Sequence, residues 1–185
     1  MKIINKLLLF VALTASVILL SSCNLADSLT TLPVNIPISV NFSTGGNNST
    51  VAGSSEFCLE NNETFQKYQD KIKKIKIVKI AIRTVSYSPQ DMKGDLNVSV
   101  KDDQGNVLFS ESLTDINPGD YINTPFEFTL SASEIEAFDN YLQSVLDANR
   151  SICFTGSLNL QITNGNAPYV FNGALDVVFE AETEL

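Results

Sequence analysis

Beyond residue 33, apolar side chains fall on alternate positions over most of the chain, the period of strands with one buried face. Val34, Ile36, Ile38, Val40 and Phe42 start the pattern. Pro33 and Pro37 interrupt it only in their missing amide donors, which places this strand at a sheet edge. Ser43 to Thr50, with Gly45-Gly46 and Asn47-Asn48, reads as a flexible loop. A second strand is expected near Ser54 to Leu59. Phe65, Tyr68, Ile72 and Ile75 then recur at spacings of 3, 4 and 3, which predicts a short helix from about Asn62 or Thr64. It gives way to a strand from Lys76 to Tyr87, where Val78, Ile80 and Ile82 alternate with Lys79, Ala81 and Arg83.

Leu96 to Lys101 and Asn106 to Ser110 read as a hairpin joined by Asp102-Asp103-Gln104-Gly105. Phe126, Phe128 and Leu130 mark another strand. Ser131-Ala132-Ser133-Glu134 has capping-box spacing and opens a longer helix, with Ile135, Phe138, Tyr141, Leu142, Val145 and Leu146 as one apolar stripe. Two long strands, Ile152 to Thr163 and Tyr169 to Ala181, close the chain around Asn164-Gly165-Asn166. Strands that follow one another without a βαβ rhythm predict a mainly β fold, an antiparallel β-sandwich with one short and one longer helix. The alternative is a curved sheet wrapped round the second helix, as in tubular lipid carriers.

The N-terminus follows a different logic. Lys2 and Lys6 precede Leu7 to Leu20, an apolar run broken only by Thr14 and Ser16 and shorter than the about 20 residues a membrane span needs. It ends in Leu20-Ser21-Ser22-Cys23. This segment resembles bacterial lipoprotein precursors, whose lipobox places small residues before an acylated cysteine. The resemblance implies cleavage between Ser22 and Cys23, acyl chains on Cys23, and a membrane partner reached through those chains. Two or three acyl chains anchor far more firmly than one. Residues 1–22 are then a signal peptide, 23–32 a lipidated N-terminus and linker, and 33–185 a single sandwich domain. Asn24 is not the aspartate that retains enteric-type lipoproteins on the inner membrane, so the resemblance implies the outer membrane of a bacterial envelope.

Charge narrows the partners. The chain has 12 basic and 21 acidic residues, and only Lys2 and Lys6 of these precede Cys23, which leaves the mature part near −11. Such a balance argues against nucleic-acid binding, which needs a basic face to replace counterions. Histidine and tryptophan are absent, which excludes Ser-His-Asp or Cys-His catalysis and His-ligated zinc. The remaining positive charge is concentrated in Lys67, Lys71, Lys73, Lys74, Lys76, Lys79 and Arg83. Within that run Lys73, Lys74, Lys76 and Lys79 form a candidate patch for an acidic envelope protein, glycan or lipid headgroup. The competing reading is a solvated strand face whose lysines discourage edge pairing.

Other chemistry is thin. Asp102-Asp103-Gln104-Gly105-Asn106 has its glycine at the wrong offset for an EF-hand loop, and hairpin geometry accounts for it. Glu134 and Glu136, candidate carboxylates for a hydrolase, are two residues apart at a helix start and so lie on different faces. Tyr87, Tyr121 and Tyr169 are the candidates for a sugar-binding platform. Lipidation of Cys23 leaves Cys58 and Cys153, each between apolar neighbours, and an exported chain folds where they can oxidise. A Cys58–Cys153 disulfide across adjacent strands is expected. The function expected from these residues is a lipid-anchored, non-enzymatic binding or accessory module without cofactor or metal. The alternatives are a carrier of lipid or another apolar ligand and, behind it, a carboxylate-based hydrolase.

Overall fold

Burying one alternate set of side chains per strand requires a second layer to cover it, and this chain supplies that layer itself. The computed structural model describes residues 31–184. In chain order the elements are β1 (Thr31–Gly46), β2 (Thr50–Cys58), α1 (Glu63–Tyr68), β3 (Ile72–Ser88), β4 (Lys93–Asp102), β5 (Val107–Ile116), β6 (Phe126–Glu127), α2 (Ala132–Asp147), β7 (Cys153–Asn164) and β8 (Tyr169–Glu184). The strands form two four-stranded sheets, ordered β1-β8-β3-β6 and β2-β7-β4-β5, with every pair antiparallel. Among the described residues the chain is a β-sandwich with one short and one longer α-helix, rather than a sheet wrapped around a helix.

Chain neighbours β1 and β2, β3 and β4, and β7 and β8 lie in opposite sheets, whereas β4 and β5 pair as the expected hairpin. Asp102 organises that turn. Its carboxylate accepts from the Gln104 and Asn106 amides at 2.9 and 2.8 Å and from the Asn106 side-chain amide at 2.8 Å, and Gly105 supplies the left-handed residue at φ 84°. β7 and β8 are interior strands of their sheets, and Phe154 of β7 stacks on Phe179 of β8 with ring centroids 5.3 Å apart. Gly156, two residues along the same inward face, leaves the space that Leu175 and Phe42 fill; a Cβ there would meet them at 3.2 and 3.4 Å.

The second helix is capped as expected: the Ser131 hydroxyl accepts from the Glu134 amide, and the Glu134 carboxylate accepts from the Ser131 amide at 2.8 Å. It packs on β3 and β5, one strand from each sheet. Phe138, Tyr141, Leu142 and Val145 are buried there, with the Phe138 and Tyr141 rings 6.0 and 5.3 Å from Phe154. Ile135 leaves the predicted stripe and stands 40% exposed.

Several boundaries differ from those read in the sequence. The first helix spans only Glu63–Tyr68, and Ile72 and Ile75 belong to β3, where they pair with Thr183 and Ala181. A spacing of three fits a helix turn, yet the lysines flanking Ile75 and Ile77 alternate with them, and pairing along β8 favours the extended form. A bulge between Ile77 and Lys79 shifts the inward set, so Val78 is 49% exposed while Ile77 and Ile80 are both buried. The predicted loop at 43–50 shrinks, because Ser43 to Gly46 stay paired with Asn172 to Tyr169. The strand at 126–130 is reduced to Phe126 and Glu127, opposite Ile82 and Ala81. Pro33 and Pro37 do lie on an edge strand.

Candidate functional site

Cys23 and Ser22, the residues that carry the anchor reading, lie outside the described residues. Cys58 and Cys153 do not. Phe57 and Phe154 point to the core, which turns their neighbours Cys58 and Cys153 to the outer face of the second sheet, directly opposite one another in the β2–β7 register. They form a disulfide with Cα atoms 4.1 Å apart. The Glu56 carboxylate lies within 4.8 Å of both sulfurs, but bridged sulfurs have no thiolate to offer a metal.

From Lys73 onward the basic run lies on β3 beside an acidic strand, while Lys67 is in α1 and Lys71 just precedes β3. In the β3–β8 register Lys76 faces Glu180 and Lys74 faces Glu182. Lys73 pairs with Glu184 at 2.9 Å, Lys76 with Glu180 at 2.7 Å, Lys79 with Glu127 at 2.6 Å and Arg83 with Asp176 at 2.9 Å. The hydrogen bond and charge of Glu180 hold the Lys76 ammonium above its usual pKa. Sheet pairing therefore lays an acid beside Lys73, Lys74, Lys76 and Lys79, and the outer face of the first sheet is a lattice of opposite charges.

The opposite face has another character. On β2, β7, β4 and β5 the outward positions come into register as rows. Ser54, Ser157, Ser99 and Ser110 form one row, and Ala52, Asn159, Asn97 and Ser112 the next. Short side chains on four adjacent strands leave a hollow of about 420 Å³, lined by the first row and by Ala52, Asn97 and Asn159 of the second, without a charged group. The Ser112 hydroxyl donates to the Asn97 side-chain oxygen at 2.5 Å. Charges stand at its margin, in Glu56, Asp95 and Lys101. Hydroxyls and side-chain amides both donate and accept, so the field offers hydrogen bonds in both senses to a neutral polar surface. Sequence reading missed it because an outward serine on one strand is ordinary; only the registers of three strand pairs assemble the rows.

The other residues singled out in the sequence take structural positions. Tyr169 is buried and its hydroxyl donates to the Gly165 carbonyl at 3.1 Å. Tyr121 packs edge-on against Phe126 with ring centroids 5.9 Å apart, and the Tyr87 hydroxyl donates to the Gln90 carbonyl at 3.3 Å. Burial removes Tyr169 from any exposed platform. Glu134 closes the capping box, while Glu136 is exposed on the same helix. The apolar face of α2 that a carrier would use is packed into the core at Phe138, Leu142 and Val145.

No family model and no curated protein matches the chain. Among solved structures it is similar to a chain of infectious bursal disease virus, Gt strain, at 11% identity and a TM-score of 0.34 over 83% of this chain and 33% of that one. It is also similar to Desmodium yellow mottle tymovirus, at 9% identity and a TM-score of 0.40 over 84% of this chain and 89% of that one. The chain spans about a third of the length of the first. Likeness at these identities and TM-scores says nothing about activity or partners.

Proposed function

We propose that this chain is a lipid-anchored lipoprotein of the bacterial cell envelope, held on the outer membrane through Cys23, and that its β-sandwich is a non-enzymatic binding module. The observation that carries the binding reading is the contrast between the two sheet faces. On the first, long charged side chains neutralise one another; on the second, an uncharged field of Ser54, Asn97, Ser99, Ser110, Ser157 and Asn159 forms a hollow at the centre of the sheet. A partner that buries the second face gives up little side-chain entropy on this side, because serine and asparagine are short, and leaves no unpaired charge behind.

The anchor reading rests on the lipobox residues Leu20-Ser21-Ser22-Cys23. Acyl chains on Cys23 hold the sandwich beside a bilayer, where an accessory subunit meets an envelope protein or glycan. The test is to replace Ser99 and Ser157 together by arginine, which sets two long cations in the middle of the field. Cross-linking in intact cells followed by mass spectrometry then compares what copurifies. Loss of the partner from a folded, membrane-associated variant is the expected result. An unchanged set of cross-linked species would mean that this face is not the binding surface.

A further inference from the structure

Among the described residues β1 and β6 end the first sheet and β2 and β5 end the second. Three of these edges carry an obstacle to pairing with another chain. Pro33 and Pro37 remove donors from β1, β6 is only two residues long, and the Thr44 hydroxyl of β1 donates to the Ala52 carbonyl of β2 at 3.1 Å. β5 has neither proline nor lysine, and Ser110, Glu111, Ser112, Thr114 and Asp115 are exposed along it. Bulges break its ladder with β4 on both sides of Phe109–Leu113: Val107 and Phe109 face Lys101 and Val100 at one end, and Leu113 and Ile116 face Leu96 and Gly94 at the other. Within this regular window Phe109 is buried opposite Val100, and Leu113 packs against the core opposite Leu96. Between them, opposite the buried Val98, stands Glu111. A position that alternation assigns to the core is held by an exposed charge.

We propose that the β5 edge is a pairing surface for a second copy of this chain, and that Glu111 keeps it unpaired. Glu111 is the midpoint of the window. Antiparallel pairing with full overlap of two such windows therefore sets Phe109 opposite Leu113 of the copy, Ser110 opposite Ser112, and Glu111 opposite Glu111. The apolar pairs favour this register. The carboxylates oppose it, because Cβ atoms at directly opposed positions are only about 4.5–5.5 Å apart and like charges there destabilise. Sliding by two residues separates the carboxylates, but it leaves three residues of each window paired and sets Glu111 against Phe109 or Leu113. Sliding by one turns the core-facing side chains of one strand towards the outward side chains of the other. A charge in the core-facing set, with bulges to either side, is how an edge strand resists pairing. This role of Glu111 is independent of what the serine field on the other face holds.

Sedimentation equilibrium of the full mature chain, in a zwitterionic detergent at matched solvent density, reads the oligomeric state, and amide hydrogen exchange reads which strand is covered. Glu111→Val should dimerise, with exchange across residues 109–113 slowing as concentration rises. Glu111→Gln removes the charge and keeps the shape; it should raise the dimerisation constant about 2- to 5-fold over the natural chain, the range of one cross-strand pair. Glu111→Lys keeps a charge at the midpoint and should stay at the natural value. Thr114→Val adds a β-branched apolar side chain to the same strand without touching Glu111, and it should also stay there. If the valine variant does not fold, the glutamine and lysine variants decide. The proposal is overturned if Glu111→Gln dimerises no better than the natural chain, if Glu111→Lys dimerises as well as Glu111→Gln, or if the slowed exchange lies outside residues 109–113.

Discussion

Cys58 and Cys153, 95 positions apart in sequence, are direct partners in the β2–β7 ladder and are joined by a disulfide on its outer face. The bridge ties the early chain to its last third and closes a long loop in the unfolded state. Replacing both cysteines by serine should lower unfolding stability by about 4–5 kcal/mol in the chain-entropy model. Denaturant titration of the double variant measures the loss. Thiol titration of the unfolded, unreduced mature chain should find neither of these two sulfurs reactive.

The charge lattice on the first sheet makes a prediction of opposite size. Alanine at Lys73, Lys74, Lys76 and Lys79 together should leave the fold intact and lower stability only slightly, because exposed ion pairs are worth little each. Glutamate at Lys74 and Lys76 should cost more per residue, since it sets like charges opposite Glu182 and Glu180. Denaturant midpoints at low and high salt check both, and the difference between the two variants should shrink as salt is added.

Tyr141 links the second helix to the start of β7. Its hydroxyl donates to the Cys153 carbonyl at 2.7 Å, and burial, with the nearby Asp103 charge, pushes its pKa from 10.0 up to about 12. The folded protein therefore keeps this proton where the unfolded chain has released it. Stability from Tyr141 is complete below about pH 10 and falls as pH climbs towards 12. Tyr141→Phe should cost about 1 kcal/mol near neutral pH and flatten the alkaline slope. Stability curves of the two proteins between about pH 8 and 12 provide the comparison.

The anchor prediction is chemical. Cys23→Ser should leave the chain uncleaved or release it to the soluble envelope fraction. Intact mass of the natural chain should show residues 1–22 removed and acyl groups added. A Cys23→Ser protein that matures and partitions with membranes as before would refute the lipoprotein reading.

The fold was legible where one local rule acted alone. Alternation placed β7, β8 and most of β1, the capping box placed α2, and turn chemistry placed the hairpin at Asp102. It blurred where two rules competed. Phe65, Tyr68, Ile72 and Ile75 satisfy a helical spacing, but only Glu63–Tyr68 is helical, because Ile72 and Ile75 gain pairing along β8. The bulge after Ile77 turned Val78 outward, and nothing in a period-2 pattern announces a bulge. The disulfide was legible because each cysteine lies between core residues. The serine field was not, since it exists only once β2, β7, β4 and β5 are in register, and the acids on β8 that match the lysine run are far from it in sequence.

Site-specific photo-crosslinking in intact cells compares the two faces directly. A photoreactive residue at position 99, in the middle of the serine field, should capture a discrete envelope partner, whereas the same residue at position 76, within the charge lattice, should capture none. Capture from position 76 but not from position 99 would place the binding surface on the first sheet and contradict the proposed role of the serine field.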